Sequence, residues 1–444
     1  GCRGRVDIRT IDSVIGQIAS VYHRSLDLPR DVSSWVRRQE DGHQELGRRV
    51  AGLLNRYPMI AGALARRHPV VICDEHQDSS GDQHAVGMAL HEQGARLRLF
   101  ADPMQKIFRD GGLEGTTSRC DWDALCAGAD EAVALERPHR WDNGCPKLGA
   151  WTIAVRAALK AGRPIDLRTG VPDSVRLVFA ENNAQQYDGF QLDPAARKRI
   201  DAFQSQQASL LILTRQPGMA RSVRAAFGRI FPLWEGHTRA ALDKLVLDMT
   251  SAPVGDAAAF ANAFCDFMVG TGAGFSATAF GNRLISEVAG GCARRTTGKP
   301  ALIQSLAKII LDDPSHRGVS AALQRVIDLK TAGEPGLADV RTDCEREFRE
   351  AIRLGGYPTP DEGLADINQR RTYARPFPPS RSISTIYKAK GLECGSVVVL
   401  PCDRKTFPDK HDARCLLYVA LSRATSALML VLSRQNPSPL FVQP

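Results

Sequence analysis

Residues 70–78 read Val70-Val71-Ile72-Cys73-Asp74-Glu75-His76-Gln77-Asp78, an apolar run that closes on two adjacent carboxylates. Such a run is the pattern of a strand in a parallel sheet, and Asp-Glu then falls at the sheet's carboxyl edge, where ligands of such sheets bind. One carboxylate there can hold Mg²⁺ while its neighbour orients or deprotonates a water for attack on a γ-phosphate. Asp-Glu alone reads more readily as a strand end followed by a solvated acidic turn. The longer string D-E-x-Q-D is far more specific.

Outward from this segment, apolar runs recur at Leu97 to Phe100, Val175 to Phe179, Leu210 to Leu213, Val397 to Leu400 and Leu428 to Leu432. Their near-continuous apolar character predicts strands covered on both faces by helices, in a doubly wound α/β architecture. Two blocks depart from that pattern. Residues 24–68 are Arg-rich and helical in character, and residues 232–375 read as almost wholly helical. In the second block Leu302, Leu306 and Ile310 recur at four-residue spacing, as do Cys344, Phe348 and Ile352. Arg375-Pro376-Phe377-Pro378-Pro379-Ser380 reads as a stiff connector back into strand-like sequence.

The 444 residues are 43% hydrophobic and 24% charged, which excludes wholesale disorder and fibrous classes. No apolar run approaches the roughly 18 residues of a membrane helix, so no membrane partner is expected. With 58 Lys and Arg against 49 Asp and Glu, the net charge of +9 points weakly to a polyanion. The 11 cysteines form no C-x-x-C pair, and their scatter suggests reduced thiols and a cytoplasmic home.

The D-E-x-Q-D string resembles motif II of superfamily 1A helicases, the UvrD/Rep/PcrA-like branch, and further segments resemble the branch's other motifs in order. Leu99-Phe100-Ala101-Asp102-Pro103-Met104-Gln105-Lys106-Ile107-Phe108 is similar to motif III, G-D-x-x-Q-x-I-Y, with Ala101 for Gly and Asp110 where many members carry a stacking Trp. Leu135 to Trp141, Leu-Glu-Arg-Pro-His-Arg-Trp, is similar to motif IV, with His139 in place of the aromatic that stacks on adenine. Ala208 to Arg215 resembles motif IVa. Thr385-Ile386-Tyr387-Lys388-Ala389-Lys390-Gly391-Leu392-Glu393 resembles motif V, with Tyr387 for the common His. Leu416 to Ala424 resembles motif VI, L-L-Y-V-A-x-T-R-A, with Ser422 for Thr. Thr10-Ile11-Asp12-Ser13 is similar to motif Ib, with Asp12 for His; a strand-to-helix cap explains Asp12 and Ser13 equally well.

The resemblance implies two RecA-like parallel-sheet cores of P-loop NTPase type, each with a mainly helical insertion. The first core would be 1–23 with 69–130 and carry insertion 24–68. The second would be 131–231 with 376–444 and carry insertion 232–375. It implies ATP and Mg²⁺ as cofactors. Asp74 would bind the metal and Glu75 would activate water. Gln105, Arg140 and Arg423 would sense or stabilise the γ-phosphate. His139, Gly391 and Glu393 would contact the nucleotide. Thr10, Ser13, Phe108, Thr385, Tyr387 and Lys388 would contact DNA. The implied activity is an ATP-dependent helicase or translocase moving 3′ to 5′ on single-stranded DNA, or on DNA with a 3′ single-stranded tail. Its setting would be repair, recombination or phage defence, with a nuclease or repair subunit as a possible partner. The family's P-loop, G-x-x-x-x-G-K-[ST], does not occur in the 444 residues; Gly291 to Lys299 has the wrong spacing. Together with the Gly1 start, this leads to the expectation that the chain is truncated before motif Ib. The alternative is a non-catalytic helicase-like subunit that binds DNA or assembles a larger complex.

Overall fold

A computed structural model describes residues 6–39, 41–108, 121–180, 185–186, 189–190, 192–228, 230–234, 239–373 and 378–444. Asp110 and residues 375–377 of the Pro-rich connector lie outside the described residues. The fold is mixed α/β with parallel strands. The chain divides into two compact units, residues 1–177 with 402–444, and residues 178–401.

In the first unit, strands Val70–Cys73 and Arg96–Leu99 pair in parallel, with Val70 opposite Arg96 and Cys73 opposite Leu99. Helix Gly81–Glu92 makes the crossover between them, started by a capping box in which Ser80 and Gln83 satisfy each other's backbone amides. Helices Ile11–Val21, Gly42–Arg56 and Pro58–Arg67 pack with it around one apolar core that includes Ile15, Val50, Leu54 and Val86. Residues 24–68 thus share their core with residues on both sides of them in sequence. Apolar side chains at three- and four-residue spacing, such as Leu46, Val50 and Leu54, put the buried stripe of Gly42–Arg56 against its neighbours.

The expectation of a sheet covered on both faces fails at Val70–Cys73. Val71 packs on the helical core, whereas Val70 and Ile72 are 52% and 66% exposed. A period-2 strand presents alternate residues to opposite faces, and among the described residues nothing covers the second one.

Further along the first unit, helices Pro146–Lys160 and His411–Leu421 pack together, and His411–Leu421 also lies on the turn Pro103–Gln105. Strand Ala424–Leu432 follows that helix directly. Its Leu428 amide donates to Ser174 O, at the foot of strand Val175–Phe179. The tail strand Phe441–Val442 pairs in parallel with Ile165–Asp166.

In the second unit, strand Leu210–Thr214 runs parallel between Arg381–Thr385 and Cys394–Cys402. Its residues Leu210 to Leu213 are all buried, as a doubly covered strand requires. Arg381–Thr385 was not among the apolar runs, because serines alternate with Ile383 along it. Helices Ala240–Ser251, Ala257–Thr271, Asn282–Ala289, Lys299–Asp312, His316–Thr331, Glu345–Arg353 and Pro360–Tyr373 build a separate apolar core. Leu306, Ile310 and Phe348 are buried there and Leu302 and Ile352 pack at its edge, in line with their spacing.

Candidate active site

Parallel pairing continues past the ends of strands Val70–Cys73 and Arg96–Leu99. The Phe100 amide donates to Cys73 O at 2.8 Å, and the His76 amide donates to Phe100 O at 2.9 Å. Between these bonds the chain turns sharply. Glu75 takes φ 53°, a left-handed conformation uncommon for a side chain with a Cβ. Its amide donates to its neighbour's carboxylate, Asp74 Oδ1, at 2.9 Å. Both carboxylates are exposed, and Gln77 Nε2 donates to Glu75 Oε2. The other end of the Gln77 amide, Oε1, accepts the Asp102 amide at 3.1 Å. One buried side chain therefore ties the Asp74-Glu75 turn to the Asp102 turn.

Asp102 organises the second turn. Its Oδ1 accepts the Met104 amide at 3.0 Å, and its Oδ2 accepts Gln105 Nε2 at 3.2 Å. Arg156, from helix Pro146–Lys160, donates to Asp102 Oδ1 from Nη2 at 2.6 Å and reaches both oxygens from Nε at 3.3 Å. Burial pushes the Asp102 carboxyl up, but the Arg156 guanidinium with the Gln105 and Met104 bonds outweighs it, holding Asp102 below the usual carboxylate range. The same pairing raises Arg156.

Arg423 is 1% exposed at the end of helix His411–Leu421. Its Nε donates to Val419 O at 3.1 Å, and its Nη2 donates to Ser422 Oγ at 2.9 Å and to Gln105 Oε1 at a longer 3.4 Å. Arg140 Nη1 donates to Ser422 O at 2.9 Å. Gln105, Arg140 and Arg423, drawn from three distant sequence segments, are thus linked through Ser422 into one cluster. Arg156 lies 5.9 Å from the Tyr418 ring centroid, and burial pushes the Tyr418 hydroxyl up to about 12.

The Arg140 turn is anchored by its neighbours. Trp141 is buried and its Nε1 donates to Ala424 O at 2.8 Å, while the Cys145 amide donates to Thr425 O at 2.9 Å. A Cβ on Gly144 would lie 2.2 Å from Thr425 O, so only glycine permits this approach. His139 is exposed and pairs through Nδ1 with Asp142 at 3.0 Å. Phe108, 47% exposed, ends the Asp102 segment.

The remaining candidates are placed elsewhere. Thr10 caps helix Ile11–Val21 by accepting the Ser13 amide at 3.2 Å, and Asp12 Oδ1 accepts Gln83 Nε2 at 2.7 Å. Both Thr10 and Ser13 are exposed. In the second unit, Thr385 ends strand Arg381–Thr385, and Tyr387, Lys388, Gly391 and Glu393 follow it. Thr385 is buried and its hydroxyl accepts the Lys388 amide at 3.3 Å. Trp234 Nε1 donates to Lys388 O at 3.3 Å, and the Ile386 amide donates to Thr214 O at 2.8 Å. Gly391, at φ 81°, and Glu393 are exposed, while Tyr387 and Lys388 are half-buried.

Sequence reasoning missed Arg156 and gave Gln77 and Tyr418 no role. A pair such as Asp102–Arg156, 54 residues apart, leaves no local pattern. Among the described residues no group of three or more His, Cys, Asp or Glu is arranged to hold a metal. Mg²⁺ in phosphoryl-transfer sites needs only one or two carboxylates beside the substrate's oxygens, and exposed Asp74 and Glu75 fit that donor set. No helix is long and apolar enough to cross a membrane, among the described residues. The nine described cysteines are free of disulfides.

Comparison with curated proteins gives no match. Residues 382–431 match the family of the UvrD-like helicase C-terminal domain. That span runs from strand Arg381–Thr385 through Arg423 into strand Ala424–Leu432, and the match supports a UvrD-like helicase with a helicase-type DNA function.

Proposed function

We propose that this chain forms the nucleotide-hydrolysing and DNA-tracking parts of an ATP-dependent superfamily 1A helicase or translocase, built on two RecA-like cores and moving 3′ to 5′ on single-stranded DNA. The observation that carries the reading is the cluster of Gln105, Arg140 and Arg423 around Ser422, beside the turn bearing Asp74 and Glu75. Planar guanidinium groups match the oxygens of a phosphoryl group, and an amide carbonyl and carboxylates complete a site with both charge signs.

Asp74 would hold Mg²⁺, which when bound neutralises charge on the phosphate oxygens. Glu75 accepts the proton of the attacking water at its carboxylate. The left-handed turn and the Gln77 bond keep that carboxylate from swinging back along the strand. Arg423 and Arg140 offset the negative charge that develops on the transferred group. His139, which is exposed, would stack on the adenine, and Gly391 and Glu393 would contact the nucleotide. Thr10, Ser13, Phe108, Thr385, Tyr387 and Lys388 serve the DNA strand, through backbone contacts and stacking. The domain limits 1–23 with 69–130, 24–68, 131–231 with 376–444, and 232–375 are part of the same proposal, as are a cytoplasmic site of action and a nuclease or repair subunit as partner.

The test is ATP turnover by the native full-length protein with and without single-stranded DNA. Glu75→Gln should abolish hydrolysis while DNA binding survives; undiminished turnover sinks the assignment. The second reading is a non-catalytic helicase-like subunit that binds DNA or assembles a larger complex. DNA binding without any DNA-stimulated turnover in the native protein would support that reading.

A further inference from the structure

We propose that Arg156 is a positioning residue of the site: clamped on Asp102 and laid against Tyr418, it fixes the orientation of the Gln105 amide that meets Arg423. The inference rests on the γ-phosphate reading of that cluster. None of the segments that pointed to the site contains Arg156. It stands in helix Pro146–Lys160, near the end opposite the Arg140 turn.

The argument is one of donor and acceptor sorting. A glutamine amide presents an acceptor at one end and two donors at the other, and rotation by half a turn exchanges them. An ionised carboxylate only accepts, so Asp102 takes the Gln105 Nε2 end, at 3.2 Å. Oε1 is then left facing Arg423 Nη2, a donor, at 3.4 Å. A protonated Asp102 could meet either end and a displaced one neither, and the flipped amide would set two donors, Gln105 Nε2 and Arg423 Nη2, against each other.

Arg156 removes both hazards. Its fork reaches both Asp102 oxygens, with the Nη2 contact at 2.6 Å, which fixes the carboxylate's plane as well as its charge. Its face lies against Tyr418, one turn before Ser422 and Arg423, which follow the end of that helix. A single guanidinium therefore holds the Asp102 turn and the Arg423 helix in register. The plain alternative is a stabilising ion pair, and partly exposed pairs contribute little.

Two measurements separate these. In the native full-length protein, Arg156→Ala should lower kcat for DNA-stimulated ATP hydrolysis by up to about 100-fold, with the KM for ATP changed less than about twofold. Arg156→Lys, which keeps the charge and loses the fork, should recover part of the loss. Asp102→Asn combined with Arg156→Ala should be no slower than Asp102→Asn alone, because the two act in series. An unchanged kcat in Arg156→Ala, or full additivity in the double variant, overturns the proposal. The second measurement needs no nucleotide: an acid titration of the Asp102 carboxyl by carbon-13 NMR. Arg156→Gln should raise its midpoint, and an unmoved midpoint overturns the clamp. If the wild-type protein hydrolyses no ATP, the γ-phosphate reading fails, and this titration still decides whether Arg156 governs Asp102.

Discussion

Gly144→Ala probes the seam that carries Arg140. The new Cβ would sit 2.2 Å from Thr425 O and 2.9 Å from Thr425 C, about 1 Å inside ordinary contact. The obstacle is backbone, so no side-chain rotation relieves it. Either the 139–145 turn or the start of strand Ala424–Leu432 must move. Overpacking of this kind costs about 1–3 kcal/mol. The displaced turn also loses the Cys145 amide bond to Thr425 O, now 2.9 Å, for about 1 kcal/mol more. Gly144 precedes helix Pro146–Lys160, so alanine gains no helix propensity in return. The expected destabilisation is about 2–4 kcal/mol, which urea unfolding followed by tryptophan fluorescence measures directly. Gly16→Ala is the control. It lies inside helix Ile11–Val21 with nothing within 4 Å of the added Cβ, and should stabilise by up to about 1 kcal/mol. A Gly144→Ala protein that unfolds at the wild-type midpoint would refute the close approach, and with it the anchoring of Arg140.

Other consequences follow from the same geometry. Burial, and then the charge of neighbouring His84, push His76 down to about 4, and its Nε2 meets His84 Nδ1 at 2.9 Å. The unfolded chain therefore binds the proton first: stability is full above about pH 6.5 and falls as the pH drops toward 4. His76→Gln should flatten this slope in unfolding experiments, and an unchanged slope would exclude His76 as its source. Phe108→Ala should weaken single-stranded DNA binding by about 1–3 kcal/mol if the exposed ring stacks on a base, read by fluorescence anisotropy. Lys388→Ala should reduce the salt dependence of the same binding by about 0.7 in the log–log slope, the share of one phosphate contact. An unaltered slope removes Lys388 from the DNA track.

The strands were legible because burial is written locally. Val70 to Ile72 and Leu210 to Leu213 are both apolar runs, and both are strands. Which faces get covered was not legible, since that depends on residues remote in sequence: Leu210 to Leu213 are enclosed, while Val70 and Ile72 face outward. In the helical block, the stripe of Leu302, Leu306 and Ile310 followed from the helix period alone. Arg381–Thr385 hid because Ser382 and Ser384 are buried polar residues that hydropathy scores as surface. The site shows the same division. Asp74, Glu75, Gln105, Arg140 and Arg423 were marked by short strings, whereas the bonds that gather them join residues up to 318 positions apart. The left-handed turn at Glu75 was invisible too, because a glutamate carries no preference for it.

The most direct measurement is single-turnover ATP hydrolysis by the native full-length protein carrying Arg423→Lys, with single-stranded DNA present. Lysine keeps the positive charge but loses the planar group whose Nη2 reaches Gln105 and Ser422 while its Nε bonds Val419 O. The account predicts a loss of about 10³-fold or more in the chemical step, as for other arginines that stabilise a transferring phosphoryl group, with DNA affinity retained. Hydrolysis at the wild-type rate would contradict it.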